Sequence, residues 1–369
     1  MPCSRGDLNI SSRGPPTGAL GTKLRIPLPL AWFLLIAACG TAALLRTFHQ
    51  RTPESPLVSP IVGSALFAAI LLLLLVTARE RRQADVPGPG VRLGALTPLM
   101  LMLLIEKWFS VSLYPLVFSS MTPRNLDPRF LDMVYRAFAG VSLILVCIIV
   151  GSLSRPTMRK VLRRGRPVRW PIAALGFVLT VGGCYALLGG LSWLLGGHLR
   201  LALPRANALL FWVIGGQSVL AFAEELYYRG VLLSEMERLA PQLGVRSAAA
   251  RRWVALLFTS ALFGLEHLTL GPPWGQPLRE LAFAVSLGLL FGILIMVSTN
   301  LHFVAGVHAW INWLLLGAAP YFVDTAGRPA LPPGTYIGVT LILAFALTFL
   351  FRRWRDRRGY GRSEELLET

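Results

Sequence analysis

The stretch SALFAAILLLLLVT, residues 64–77, decides the fold class: fourteen residues without one charge or strong hydrogen-bonding side chain cannot sit on the surface of a water-soluble domain. The rest of the chain agrees. Of 369 residues, 54% are hydrophobic and only 15% charged. A bilayer core of about 30 Å needs roughly 20 apolar residues per helical span. Segments near 26–45, 57–77, 95–119, 133–153, 170–195, 206–226, 253–268, 281–298, 300–319 and 336–351 meet that need, so the sequence predicts an all-α, polytopic transmembrane bundle of about ten spans. Glu106 and Lys107 interrupt the third segment, as a neutralised pair at a kink or as part of a re-entrant stretch.

The net charge of +18 suits a nucleic-acid binder only until the cations are placed. They alternate in density from loop to loop. With RPTMRKVLRRGRPVR (155–169) taken as cytoplasmic, the segments on its side carry 25 Lys and Arg and the opposite loops 8. That bias is the positive-inside pattern; it predicts an integral membrane protein with both termini cytoplasmic and membrane lipids, not nucleic acid, as partners of the cations. Four cysteines, Cys3, Cys39, Cys147 and Cys184, show no CxxC pairing and read as apolar thiols. LLIAACG, ending at Cys39, has the look of a lipoprotein processing box, but so much membrane-embedded chain follows that the first segment is taken as a retained helix.

The sequence divides into a basic, Gly/Pro/Ser-rich start predicted to be disordered (1–25), N-terminal transmembrane helices (26–204), a membrane core rich in polar motifs (205–351) and a basic tail (352–369). Within the core, AFAEELYYRGVL (221–232) sets two carboxylates and a guanidinium within six residues at the end of an apolar helix. Residues four apart share a helical face, so Glu225 pairs with Arg229, while Glu224 lies about 100° around the same turn. FGLEHL brings Phe263 and His267 four apart, and GVHAWINW does the same for His308 and Asn312. Each of these polar groups alone would be costly in hydrocarbon, so the three spans are expected to converge on one site. Carboxylate with imidazole can deprotonate water, and a second imidazole with an amide can donate to the oxyanion of an attacked carbonyl. Two His and one Glu could instead hold Zn²⁺, although neither His motif has HExxH spacing.

At these residues the chain resembles the CAAX-processing and bacteriocin-processing intramembrane endopeptidases, the CPBP family. Glu224, Glu225 and Arg229 match its EExxxR motif, Phe263 and His267 its FxxxH motif, and His308 and Asn312 its HxxxN/D motif. Gly288 and Gly292, in the apolar stretch before the last motif, are spaced for close helix packing. The resemblance covers roughly residues 205–320 and implies a hydrolase acting on a protein or peptide with a membrane-associated terminus. It implies Glu224 as general base assisted by His267, Glu225 and Arg229 as orienting residues, and His308 with Asn312 as the oxyanion hole. It favours a metal-independent glutamate mechanism with no cofactor; the alternative is zinc on Glu224, His267 and His308. Glu266 departs from the family pattern and is expected to pair with a cation, and His302 is expected at a span end on another face. The composition, rich in Arg, Ala, Leu and Gly, suggests a bacterial inner-membrane protein whose substrate is a bacteriocin leader, an anti-sigma factor or a sorting tail. Two other classes stay open from sequence alone: a transporter using the Glu/His/Arg cluster as a proton relay, and a non-catalytic scaffold using it as structural glue.

Overall fold

A computed structural model describes residues 25–31, 34, 58–81, 91–109, 128–164, 170–194, 197, 200–267 and 277–357. The helices, in chain order, are α1 (Val58–Arg81), α2 (Leu93–Trp108), α3 (Pro128–Leu153), α4 (Arg155–Arg164), α5 (Trp170–Leu194), α6 (Ala208–Glu224), a π-helical segment (Glu225–Leu232), α7 (Leu233–Leu239), α8 (Ala248–Glu266), α9 (Pro277–Ser298), α10 (Leu301–Leu315) and α11 (Pro333–Arg357). Two short antiparallel ribbons complete it: β1 (Arg25–Ile26) with β2 (Val91–Arg92), and β3 (Arg200–Ala202) with β4 (Tyr321–Val323).

Among the described residues six helical stretches are long and apolar enough to cross a membrane: Met133–Leu153, Trp170–Leu194, Ala208–Leu239, Ala248–Glu266, Leu278–Ser298 and Pro333–Arg355. Val62–Leu75 and Leu301–Leu315 are apolar but shorter. Of the ten expected spans, the one at 26–45 falls almost wholly outside the described residues, as do the disordered start and the end of the tail. The segment expected at 95–119 is described only as far as Phe109. The chain is an integral membrane protein of all-α architecture. Its outward faces are as apolar as its interior, with Leu175, Val178, Leu179 and Trp193 of α5 all exposed, as a lipid-facing helix requires.

One span differs from expectation in a way that matters. The helix expected to end at 226 runs on through the π segment and α7 to Leu239, because the backbone keeps donating down the chain without a break: the Leu233 N–H bonds the Tyr228 carbonyl, five residues back. Glu224 thus lies deep within a 32-residue rod rather than at its mouth. It sits fifteen residues before Leu239, and His267 nineteen residues after Ala248 on the antiparallel α8; at about 1.5 Å per residue the two depths agree to within roughly a turn.

Small residues set the helix spacing. A Cβ on Gly288 of α9 would meet Ser260 Cα of α8 at 3.1 Å, and one on Gly292 would strike Leu256. On the other side of the bundle α3 lies against α6 through Gly140 and Gly216, whose added Cβ atoms would meet Leu220 Cα at 3.1 Å and the Met133 carbonyl at 3.1 Å. Helix starts are capped by side chains: Asn207 Oδ1 accepts from Leu210 N–H (2.8 Å) for α6, and Asn300 Oδ1 from Phe303 N–H (3.3 Å) for α10. Thr299, at φ 51°, makes the sharp reversal between α9 and α10. Cys147 and Cys184 are buried free thiols, as expected; Cys3 and Cys39 lie outside the described residues.

Candidate active site

The site begins where α6 passes into the π segment. Glu225 and Arg229 are four apart within this π segment, and Arg229 Nη1 lies 3.2 Å from Glu225 Oε1. Both are withdrawn from solvent, at 0% and 1% exposure. So deep a guanidinium must be surrounded by compensating groups. Its Nη2 donates to the Gly288 carbonyl (3.3 Å), which the bare glycine lets approach, and its plane lies 4.4 Å from the Phe263 ring centroid, with Tyr228 and Phe291 at 5.5 and 5.7 Å. The Phe of the FxxxH motif is therefore the floor under the Arg of EExxxR. The same ring touches both candidate imidazoles, His267 at 4.3 Å and His308 at 6.0 Å between centroids.

His308 sits between the two carboxylates. Its Nδ1 is 2.9 Å from Glu225 Oε1 and its Nε2 is 3.5 Å from Glu224 Oε2, with the ring stacked on Phe291 at 4.8 Å. Glu225 accordingly bridges Arg229 and His308, and the neighbouring Glu224 finds the partner that its own helix does not supply. His267 caps the C-terminus of α8, and its Nδ1 bonds the Phe263 carbonyl at 2.7 Å. A carbonyl only accepts, so Nδ1 carries the proton and Nε2 is the ring's basic nitrogen.

Glu224, His267 and Asn312 line one cavity of about 470 Å³. Glu225 and Arg229 are packed behind that wall, and His308 lies between it and them. Among the described residues no three His, Cys, Asp or Glu side chains are grouped to hold a metal ion. His302 is apart from the cluster, stacked on Phe222 (5.7 Å, 4°) and against Trp170, as its different helical phase predicts.

Three contributors to the cavity escaped the motif reading. Lys107 of α2, 2% exposed, is the cation that Glu266 was expected to find: its Nζ lies 2.5 Å from Glu266 and 2.8 Å from Glu106. All three residues line the cavity beside His267. The signal for Glu106 and Lys107 was present as an interrupted apolar segment, but 159 residues separate Lys107 from Glu266. Gln217 of α6, 1% exposed, also lines it, and its Nε2 has no hydrogen-bond partner among the described residues. It lies seven residues, two turns, before Glu224 on the same face. The third is α3, whose Tyr135, Arg136, Phe138 and Val146 form the wall facing α6.

No curated protein and no solved structure matches the chain. A family model does, over residues 206–314, and its description is Rce1-like, type II CAAX prenyl endopeptidase. The matched segment contains α6, the π segment and α7 to α10 but not α2 and α3. The helices that carry Glu224, His267 and His308 thus lie within the segment, residues 206–314, that is similar to the Rce1-like type II CAAX prenyl endopeptidases.

Proposed function

We propose that this protein is an intramembrane endopeptidase in which Glu224 activates water for attack on a peptide bond held in the 470 Å³ cavity. The observation that carries the reading is the alignment of Arg229, Glu225, His308 and Glu224 behind and along the cavity wall. Glu224 takes the proton of the attacking water, and Nε2 of His267, on the same cavity, helps to orient that water. The carbonyl oxygen becomes an oxyanion, which accepts from His308 Nε2 and the Asn312 side-chain amide. With Nδ1 donating to Glu225, a donor at Nε2 requires a proton on each ring nitrogen; Glu224 and Glu225 flank the ring with the opposing charge. Glu224 then returns its proton to the leaving amine, which balances the reaction. Arg229 fixes Glu225, and Glu225 fixes the imidazole.

Apolar lining from Phe109, Phe138, Leu143, Val146 and Leu220 suits a substrate whose terminus lies in or against the membrane. The distribution of cations supports cytoplasmic termini and the composition, rich in Arg, Ala, Leu and Gly, supports a bacterial inner membrane, where a leader, an anti-sigma factor or a sorting tail would be the substrate class. A zinc-dependent form of the reaction would draw on Glu224, His267 and His308.

The test compares the protein termini in membranes of cells expressing the full chain or its Glu224→Gln variant. Termini trimmed only with the native chain are expected, and purified enzyme should cut the corresponding peptide at least about 10²-fold faster than Glu224→Gln. Equal trimming by a folded Glu224→Gln would remove Glu224 as the base. Treatment with a chelator is expected to leave the rate unchanged; a loss restored by Zn²⁺ would establish the metal form.

A further inference from the structure

A second recess, of about 300 Å³, lies away from the cavity, where α4, α7 and the start of α8 meet. Lys160, Arg238, Arg251 and Arg252 face it with a single carboxylate, Glu237. The acids nearby are already engaged. Glu237 bonds Lys160, and Glu235 accepts from Thr157 and from Arg238 at 2.7 and 2.8 Å. Burial draws the Lys160 ammonium below the usual lysine range, Glu237 pulls it back up, and Arg164 and Arg252 depress it further. The recess therefore carries more positive charge than its own acids neutralise.

Two buried polar groups on its wall point to what would balance that charge. Ser234, 3% exposed, has a hydroxyl with no hydrogen-bond partner among the described residues, and the same is true of Arg251 Nε. Ala248, the first residue of the 19-residue α8, also lines the recess, so the positive end of that helix faces it, with Ser247 Oγ accepting from the Ala250 N–H. The donors come from three separate elements and from different directions. A planar carboxylate satisfies one arginine; a tetrahedral group with several acceptor oxygens can satisfy an ammonium, a guanidinium and a hydroxyl together. Trp253, 52% exposed, follows Arg252, and the exposed Leu257 is one turn further along the span, so the recess opens where the lipid-facing surface of α8 begins.

We propose that this recess binds a phosphate group, with Lys160, Ser234, Arg251 and the N-terminus of α8 as its donors. The inference stands apart from the proposed proteolysis, since no residue of the cavity takes part. An anionic phospholipid headgroup and a free phosphate share the chemistry, and the experiment separates them.

Full-length protein, stripped of lipid in detergent, is titrated in one arm with phosphatidylglycerol against phosphatidylcholine and followed by native mass spectrometry. In the other arm it is titrated with inorganic phosphate and followed by Trp fluorescence. A retained phosphatidylglycerol adduct identifies the lipid source, and saturable inorganic phosphate binding without lipid selectivity identifies the free one. In either arm Arg251→Gln and Lys160→Gln are expected to weaken binding about tenfold each and Ser234→Ala several-fold, while Arg353→Gln, an equal loss of charge on α11, leaves it unchanged. Ser234→Ala removes only a hydroxyl and keeps the test open if a charge variant misfolds. An Arg353→Gln effect as large as that of Arg251→Gln, or wild-type binding no tighter than that of the recess variants in both arms, would overturn the proposal.

Discussion

At the residue scale the cluster is an exercise in neutralising buried charge. Arg229 is held by Glu225, a carbonyl and three rings, and Glu225 is shared with His308. Replacing Arg229 with Met leaves the Glu225 carboxylate, at 0% exposure, with the His308 imidazole but without its guanidinium, which is expected to cost about 3–5 kcal/mol, read as lost thermal stability of the detergent-solubilised protein. Lys107→Met should be similarly damaging because it removes the cation that Glu106 and Glu266 share. Adding Glu266→Gln should return part of that loss, and additive effects of the two changes would refute their coupling. Gln217→Leu is a different kind of change: with its amide nitrogen unpartnered on the cavity wall, substitution is expected to preserve stability and to slow cleavage about tenfold. The motif residues were legible because helical period places residues four apart on one face, as Glu225 with Arg229 and Phe263 with His267. Gln217 carried a weaker signal of the same kind, a polar side chain seven residues before Glu224 in an otherwise apolar run. Lys107 and Glu266 could not be paired from sequence, since nothing local in either segment indicates its distant partner.

At the scale of elements, close helix approach decides the geometry. Gly216 lets α6 meet the α3 backbone at the Met133 carbonyl, and Gly140 does the reverse at Leu220. Gly216→Val is expected to push the two helices apart, at about 1–3 kcal/mol, and to widen the cavity between Leu220 and Phe138; loss of stability in thermal unfolding together with slower cleavage would report it. Apolar run lengths located these helices well, and Gly288 and Gly292 were readable as a packing stripe. The end of the α6 rod was not readable. EELYYR has the composition of a helix emerging into water, and the partners supplied by α4, α8, α9 and α10 allow it to continue buried.

For the whole molecule, the matched domain does not enclose its own cavity. α2 and α3 lie outside residues 206–314 yet supply Lys107, Tyr135, Arg136 and Phe138 to the wall. A chain lacking residues 1–199 is expected to lose cooperative unfolding and all cleavage; a stable, active fragment would show that the N-terminal helices are dispensable. The helices α3 and α5 were readable as apolar runs, but the place of α2 and α3 beside the site was not, because apolar helices facing lipid and those facing a cavity are built from the same residues.

The π segment leads to one more consequence. A local widening of this sort amounts to an α-helix that has taken in an extra residue, so the stretches before and after keep their phase while the residues between are re-aimed. Excising Leu226 should therefore return the rod to ordinary pitch, leaving α6 and α7 docked as they are. It would shorten the spacing between Glu225 and Arg229 from four residues to three and turn their side chains away from each other. Such a shortened protein is expected to insert and fold yet fail to cut, which would trace its chemistry to a single inserted position in the polypeptide.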